Sequence, residues 1–297
     1  MMKKTVNKIM GGLGYVIKRK TNPEHIFDRD LPEYRNHNNK ALLVRAQGHI
    51  KKLKKYFPEL RIEDHKNGCI IGLSGVNVFV ENVEEFFILN EVFTEQDYQF
   101  SSPEELVLID IGANIGISSL FFSLQENVKR IYAYEPVKDT FEQAELNFSL
   151  NKEISKVVSF NNFGIGKDTR KEVFSFNKEI KGNTGIRGKM SGSYAAVENT
   201  VEREVLIKPF DEEIKKIRQE NSENRIAVKM DCEGAEYEIF DHLNESGAIN
   251  QIDYFMIEWH DRGPEEIEKV LLANNFEFFS RKLALNAGMI YAIKRER

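Results

Sequence analysis

The chain has 297 residues, of which 41% are hydrophobic and 30% charged, a composition typical of a globular protein with a substantial core. The formal net charge of −5 excludes a global basic field for nucleic acid, and the two cysteines, Cys69 and Cys232, are too few for a disulfide framework or a cysteine-based zinc site. No apolar stretch approaches the roughly 18 residues that span a bilayer, so we expect a cytoplasmic protein.

The first twenty residues form a basic segment with six lysine or arginine side chains and no acid. Lys8 and three glycines interrupt its apolar residues, which makes it a poor match to a secretory signal. A solvated terminus is the ordinary interpretation of such a segment. The alternative is a weak peripheral contact of residues 1–20 with an anionic membrane surface, which vesicle binding before and after their deletion would test.

An N-terminal extension of mixed helix and strand is predicted for residues 1–84. Residues 21–38 are rich in proline, asparagine, histidine and aspartate, a composition that indicates a loop or linker. A helix that ends before Pro58 is predicted next, because apolar residues recur at spacings of three and four. These residues are Leu43, Ala46, Ile50, Leu53 and Phe57.

Two short strands are predicted on either side of Ser74 and Gly75, at Cys69–Leu73 and Val76–Val80. Residues 84–93 are apolar with interspersed acids, and this pattern fits either a helix or a strand. The extension therefore contains at least one helix and one strand pair ahead of the main domain.

One α/β domain is predicted for residues 85–297, because apolar strands alternate with helical patterns. The predicted strands of its sheet are Leu106–Ile111, Arg130–Tyr134, Val157–Phe160, Arg225–Asp231 and Tyr254–His260. The predicted helices span 115–124, 138–150, 233–243 and 264–273. Such alternation indicates a mostly parallel sheet that helices cover on both faces.

Two further features complete the predicted domain. Segments Phe276–Phe279 and Met289–Ile293 indicate an antiparallel pair at the edge of the sheet. Residues 164–200 hold many glycine, asparagine and serine residues, which predicts an irregular insertion with short antiparallel strands at Val173–Phe176 and Val205–Ile207.

Polar residues end each long predicted strand, where ligands bind in doubly wound sheets. The first strand runs into Gly112–Gly116, whose glycines let backbone approach a ligand closely. Asn114 stands where a dinucleotide-binding loop has its second glycine, and no Walker lysine follows. Asp110 either orients this turn or meets the ligand.

Glu135 ends the next strand, 25 residues after Asp110. A carboxylate at this position accepts hydrogen bonds from both hydroxyls of a ribose, which indicates a cofactor with a nucleoside portion. A strand-end acid that caps the following helix is the structural alternative.

Together with these residues, several motifs resemble the FkbM family of methyltransferases over roughly residues 85–295. They are Asp110–Gly116, Tyr134-Glu135-Pro136, Asn147 with Asn151, Lys229–Glu236, and Glu258-Trp259-His260, preceded by Asn90–Phe93 and Tyr98. The resemblance implies a Rossmann-like class I methyltransferase fold with seven strands, S-adenosyl-L-methionine as methyl donor, and usually O-methylation. The cofactor contacts that we assign on this basis are Asp110, Gly112, Ala113, Asn114, Gly116, Glu135, Pro136 and Asn162.

Methyl transfer to an alcohol needs a base near the acceptor hydroxyl, and we expect His260 in this role. The other candidates for the catalytic site are Lys229, Asp231 and Glu258. His260 shares a strand face with Glu258, as Lys229 does with Asp231. We assign no metal ligands, although a hard-cation site built from Asp231, Glu233 or Glu258 is an alternative.

Two other functions compete with the methyltransferase interpretation. An NAD-binding oxidoreductase would also use Glu135, but the loop spacing argues against it, and a non-catalytic scaffold would have no need of the strand-end acids. The family resemblance implies a small molecule or glycan as acceptor. We expect no nucleic acid as acceptor, because the chain is acidic. The sequence has no feature that specifies the acceptor or the oligomeric state.

Overall fold

The computed structural model describes residues 22–185 and 200–295. The basic segment of residues 1–20 lies outside these ranges, so its membrane contact stays a prediction. Within the two ranges, no helix is both long enough and apolar enough to cross a bilayer.

The N-terminal part begins with a helix, α1 (Pro23–Asp30), followed by a 3-10 turn at Pro32–Tyr34. The prediction of a loop over residues 21–38 is therefore wrong. Asn22 caps α1 by accepting a hydrogen bond from the backbone N–H of Glu24. Because a proline in the first helical turn gives up no hydrogen bond, Asn22 and Pro23 together start the helix instead of excluding it.

The next elements form a helix and a small antiparallel sheet, in which β2 pairs with both neighbours. They are α2 (Lys40–Tyr56), β1 (Arg61–His65), β2 (Gly68–Leu73) and β3 (Val76–Val80). The helix and the two later strands confirm the predictions. Strand β1 was missed because only Ile62 of its five residues is buried, which leaves no alternating pattern.

Residues 84–93 prove to be helical. Helix α3 (Val83–Asn90) starts at Asn82, whose side chain accepts a hydrogen bond from the N–H of Glu85, and it continues into a π-helical turn at Glu91–Glu95. Residues 96–105 connect this turn to the main sheet.

The remaining strands are β4 (Leu106–Ile111), β5 (Val128–Tyr134), β6 (Val158–Asn161), β7 (Gly164–Gly166), β8 (Arg170–Phe176), β9 (Val201–Pro209), β10 (Arg225–Met230), β11 (Tyr254–His260), β12 (Phe276–Lys282) and β13 (Ala287–Lys294). The remaining helices are α4 (Ile117–Ser123), α5 (Lys138–Ser149), α6 (Phe210–Glu220), α7 (Glu236–Glu245) and α8 (Glu265–Ala273).

Seven strands form the main sheet in the order β12-β13-β11-β10-β4-β5-β6. Strands β6, β5, β4, β10 and β11 are mutually parallel, whereas β13 pairs antiparallel with both β11 and the edge strand β12. The predicted fold class, a seven-stranded mostly parallel sheet with an antiparallel edge, is confirmed. The chain leaves β4 for β5 on one side and returns as β10 on the other, which makes the ends of β4 and β10 the switch point of the sheet.

The predicted insertion contains a second, three-stranded sheet in the order β7-β9-β8. Strands β8 and β9 are antiparallel, as predicted, and the short β7 runs parallel to β9. Residues 186–199 of the insertion lie outside the described residues. Lys181 anchors the insertion, because its buried ammonium donates to Glu81, Glu85 and Gln143.

The hydrophobic core has two main parts. One unites the N-terminal elements with residues of the main sheet, from Phe27 and Ile50 through Leu108 to Met289. The other lies against α6, α7 and α8. The N-terminal extension therefore packs on the sheet and supplies part of the core that holds the strands in place.

Three amides join the N-terminal sheet to the main domain: Gln143 and Asn147 on α5, and Asn151 just after its end. Asn151 bonds both the N–H and the C=O of Asn77 on the free edge of β3, at 2.8 and 2.6 Å. Asn147 accepts from the N–H of Phe79 and Gln143 donates to its C=O. The spacing of four residues places the three amides on one helix face, where they complete the hydrogen bonds of the strand edge.

Asn147 is expected to be important for stability because it is fully buried and also donates to the C=O of Ile115 at 2.8 Å. Asn147→Leu keeps the volume but leaves two buried backbone groups without partners, so the free energy of unfolding should fall by about 2–4 kcal/mol. Urea denaturation measures the change. Asn244→Leu, at an exposed position of α7, is the control, and equal losses in the two variants would contradict this role for Asn147.

Candidate functional site

Two adjacent cavities lie at the switch point, beyond the ends of β4, β5, β10 and β11. The first, here called the acidic cavity, lies between the Gly112–Gly116 loop, helix α3 and the ends of β10 and β11. The second, here called the insertion cavity, extends from the same loop past Glu135 to the insertion. Gly112, Asn114 and Asp231 line both cavities, so the two cavities adjoin at the loop.

The loop is shaped by residues in the left-handed region of backbone space. Gly112 has φ +76°, and a Cβ there would lie 1.7 Å from the carbonyl oxygen of Asp231. Gly116 has φ +84° and starts α4, with Phe148 packed where its side chain would be. Of the predicted loop contacts, Gly112, Ala113 and Asn114 line a cavity, whereas Gly116 shapes the turn.

Asp110 orients the loop and is enclosed within the protein. Its carboxylate accepts from the hydroxyls of Ser118 and Ser119 at 2.7 and 2.6 Å and lies 3.2 Å from the ammonium of Lys229. It is fully buried and lines neither cavity formed by the described residues. Its assignment as a ligand contact is therefore corrected to that of a residue that fixes the start of α4.

Lys229 is a positioning residue. Its ammonium donates to the C=O of Gly112 at 2.8 Å and lies over the ring of Tyr98 at 5.2 Å. Burial disfavours its charge, but Asp110 and Asp231 outweigh burial and raise the pKa of Lys229. A lysine that keeps its proton is no base, so Lys229 holds the loop and neutralises the acids around it.

Glu135 lies at the bottom of the insertion cavity. Its carboxylate accepts from the backbone N–H of Val137 at 2.8 Å and of Asn114 at 3.1 Å. Burial raises its pKa to about 7, against the lowering effect of these two hydrogen bonds and of Lys229. Each carboxylate oxygen retains a lone pair for a further donor such as a ribose hydroxyl.

Pro136 lines the insertion cavity, but Asn162 does not. Asn162 is exposed, and its amide donates to the C=O groups of Glu135 and Pro136 at 3.0 and 3.1 Å. The assignment of Asn162 as a ligand contact is corrected accordingly: it braces the turn that presents Glu135.

Several residues of the insertion cavity were not foreseen from the sequence. They are Gly164, Ile165, Arg170, Phe174, Thr184, Ile207 and Glu238. The hydroxyl of Thr184 is buried and has no hydrogen-bond partner among the described residues. Apolar walls, one unpartnered hydroxyl and the Glu135 carboxylate suit a nucleoside, whose base is flat and whose sugar donates hydrogen bonds.

The predicted catalytic residues Asp231, Glu258 and His260 come together in the acidic cavity. His260 is 3% exposed, and its Nδ1–H donates to the buried carboxylate of Glu236 at 2.5 Å. Its Nε2 faces oxygens of Glu258 at 3.7 Å and of Asp231 at 3.9 Å. Adjacent parallel strands explain the grouping, because β10 ends beside the middle of β11.

His260 is protonated, whereas a general base must be unprotonated before it reacts. Burial lowers its pKa, but the hydrogen bond to Glu236 and the nearby carboxylates outweigh burial and raise the pKa to about 10. The imidazole is therefore protonated at neutral pH, which argues against the predicted role as the base.

Three residues outside the β-strand motifs also line the acidic cavity. Tyr98 donates from its hydroxyl towards Asp231 at 3.1 Å and Glu258 at 3.3 Å. Burial and neighbouring acids raise the pKa of Glu91 to about 9, and mainly burial raises that of Glu84 to about 7. The sequence offers two signals for Glu84 and Glu91, their spacing of seven residues and the position of Glu91 within the Asn90–Phe93 motif, and neither indicates which face meets the sheet.

Comparison with known proteins gives a family match. The family model of the methyltransferase FkbM domain matches residues 110–279, more than half of the chain. Methyltransferase sdnD of Sordaria araneosa is 26% identical over 157 residues, which cover 52% of this chain and 54% of that protein. Methyltransferase 1 of Beauveria bassiana is 24% identical over 206 residues, covering 64% and 80% respectively.

Among solved structures, the methyltransferase FkbM of Methylobacillus flagellatus is similar to this chain. The alignment has 12% identity and a TM-score of 0.44, and it covers 98% of this chain and 70% of that one. The chain thus spans about half the length of the Sordaria relative and a larger share of the other two.

Proposed function

This chain belongs to the FkbM methyltransferase family, and from that premise we propose that it transfers a methyl group from S-adenosyl-L-methionine to a hydroxyl oxygen. The acceptor that we propose is a small molecule or a glycan. The observation that carries the proposal is the pair of adjacent cavities that share the Gly112–Asn114 loop, one lined by Glu135 and the other by the acidic cluster.

The residues present fit the donor. Glu135 offers two acceptor oxygens to ribose hydroxyls, and the unpartnered hydroxyl of Thr184 lies in the same cavity. The acids on the other side of Gly112 suit the sulfonium and the ammonium group of the donor, which both carry positive charge. Once bound, S-adenosyl-methionine supplies a methyl group that its sulfonium charge already activates.

The protein then has to hold the acceptor oxygen in line with the methyl carbon and to exclude water. We place the acceptor in the acidic cavity, beside Asp231, Glu258 and His260. The oxygen–carbon bond forms as the carbon–sulfur bond breaks, and the hydroxyl proton passes to a cavity carboxylate. The products are the methylated acceptor and S-adenosyl-homocysteine.

The experiment that tests the proposal incubates the purified protein with a metabolite or glycan extract and S-adenosyl-methionine carrying a labelled methyl group. Mass spectrometry should find one compound class that gains a single labelled methyl group. The hydroxyl group that accepts the methyl should react with hydroxyl-directed reagents before the enzymatic reaction and not after it. Label on nucleic acid, or on no compound while the protein binds NAD, would contradict the proposal.

Binding of S-adenosyl-homocysteine, the product formed from the methyl donor, should depend on pH through the protonation of Glu135. Its pKa of about 7 means that the carboxylate gains a proton as the pH falls from 8 to 6, and a protonated carboxyl accepts hydroxyl donors less well. Affinity for S-adenosyl-homocysteine, measured by calorimetry, should therefore be greatest above pH 7 and decrease below it.

Glu135→Gln should weaken this binding by about 10–100-fold at pH 8 and remove most of its pH dependence, because the charge-assisted hydrogen bonds are lost. Glu142→Gln, which removes an exposed acid on α5, is the matched control and should bind like the wild type. An unchanged affinity in Glu135→Gln would show that the ribose is not held there.

A further inference from the structure

The acidic cavity contains a set of three side chains with the composition of a metal site. One ligand atom from each of Asp231, Glu258 and His260 lies within 4.8 Å of the others. We propose that these three residues bind one divalent cation of the first transition row. This proposal concerns the free protein and does not depend on methyl transfer.

The buried imidazole provides the first argument. His260 Nε2 points into the cavity and, among the residues that the structure describes, has no hydrogen-bond acceptor within 3.5 Å. The nearest oxygens of Glu258, Glu233 and Asp231 lie at 3.7, 3.8 and 3.9 Å. These gaps are too long for hydrogen bonds and leave a space at the centre of the group.

The size of the space suits a cation. Metal–ligand bonds of about 2.1 Å place neighbouring ligand atoms about 3.0–3.4 Å apart. The observed separations from Nε2 of 3.7 and 3.9 Å therefore close to that range with shifts of a few tenths of an ångström at each side chain.

The neighbours of the three side chains already hold them in position. Glu236 accepts the hydrogen bond from Nδ1 of His260. A cation that displaces the proton of Nε2 therefore gains this nitrogen as a ligand, with the ring orientation already fixed. Tyr98 engages Oδ2 of Asp231 and Oε2 of Glu258, whereas Oδ1 and Oε1 face the imidazole. Metal-binding histidines and carboxylates commonly have such supporting hydrogen bonds.

The charge of the cavity provides an independent argument. Five acidic side chains and two basic ones line it among the described residues: Glu84, Glu91, Asp231, Glu233 and Glu258, with Lys229 and His260. Both basic side chains also contact a further buried acid, Asp110 or Glu236. A dication would stabilise the ionised forms of these crowded acids.

The ligand types indicate which cation binds. Imidazole with two carboxylates suits Mn²⁺ and its neighbours in the series better than Mg²⁺, which prefers oxygen ligands and retains its water. On the proposed function, a cation here would polarise a hydroxyl group of the acceptor next to the methyl group.

The test titrates the purified full-length protein with Mn²⁺ alone and follows the free ion by electron paramagnetic resonance. We expect one site per chain. Asp231→Asn and Glu258→Gln should each weaken binding at least about tenfold, because each removes a charged ligand. Glu91→Gln is the matched control: it lies in the same cavity outside the set of three and should retain the site.

Thermal melting shows whether each variant is folded, and crystals soaked in Mn²⁺ give a second measurement. An anomalous peak between the three ligand atoms would support the site. The site would be overturned by a wild-type protein that binds no Mn²⁺ below about 1 mM, by wild-type affinity for Mn²⁺ in both Asp231→Asn and Glu258→Gln, or by an anomalous peak elsewhere. Separate calorimetry with S-adenosyl-homocysteine tests the donor, so failure of the metal site is distinguishable from failure of the proposed function.

Discussion

His260→Gln is expected to lower kcat by about 100–1,000-fold while leaving the affinity for S-adenosyl-homocysteine nearly unchanged. The imidazolium lies among Asp231, Glu233 and Glu258, on the acceptor side of the loop, whereas Glu135 lies on the donor side. The substitution removes the imidazole, which orders the carboxylates around the reacting hydroxyl. It does so through its own positive charge or, when a metal is bound, as a metal ligand. Steady-state kinetics on the acceptor identified with labelled donor, together with calorimetry, separates the two effects.

His242→Gln is the matched control for this variant. His242 is a partly exposed histidine on α7 whose Nε2 is 2.9 Å from Asp211, away from both cavities. It should keep kcat within about twofold, since it touches neither ligand. If His260→Gln turned over at the wild-type rate with the same melting temperature, the acceptor would not react beside His260.

Gly112→Ala is expected to cost about 5 kcal/mol or more of unfolding free energy, or to prevent folding. A methyl group at this position would lie 1.7 Å from the carbonyl oxygen of Asp231, which is backbone and has no rotamer to move to. The ends of β4 and β10 would have to separate, and with them the loop, Lys229 and Asp231. Chemical denaturation followed by circular dichroism measures the loss.

The control for this substitution is Gly247→Ala. Gly247 also has a positive φ, +69°, but a Cβ there has no atom within 4 Å. It should cost only about 1–2 kcal/mol, the strain of a left-handed alanine. The difference in unfolding free energy between the two variants isolates the steric effect. Equal losses would show that β4 and β10 can separate at the loop without cost.

The main sheet was largely predictable because its strands are buried on both faces. Leu106–Ile111 and Tyr254–His260 are almost uniformly apolar, and both have the predicted bounds. Strand β1 and helix α1 were not predicted. The first depends on pairing with β2, and the second depends on a capping residue in a stretch whose composition suggested a loop.

The site was predictable in position but less so in the roles of its residues. Strand ends identify where ligands bind, but whether an acid faces the cavity depends on the loop that follows it. Asp110 turns towards Ser118 and Lys229, whereas Glu135, on the next strand, faces the insertion cavity. Glu84 and Glu91 reach the site only through the packing of α3, which no local pattern encodes.

The central claim, that this fold binds S-adenosyl-methionine for methyl transfer, is tested most directly by calorimetric titration of the protein with S-adenosyl-homocysteine and, separately, with NAD. We predict one S-adenosyl-homocysteine bound per chain, displaced by S-adenosyl-methionine, and no heat of binding with NAD. Saturable binding of NAD with none of S-adenosyl-homocysteine would contradict the account.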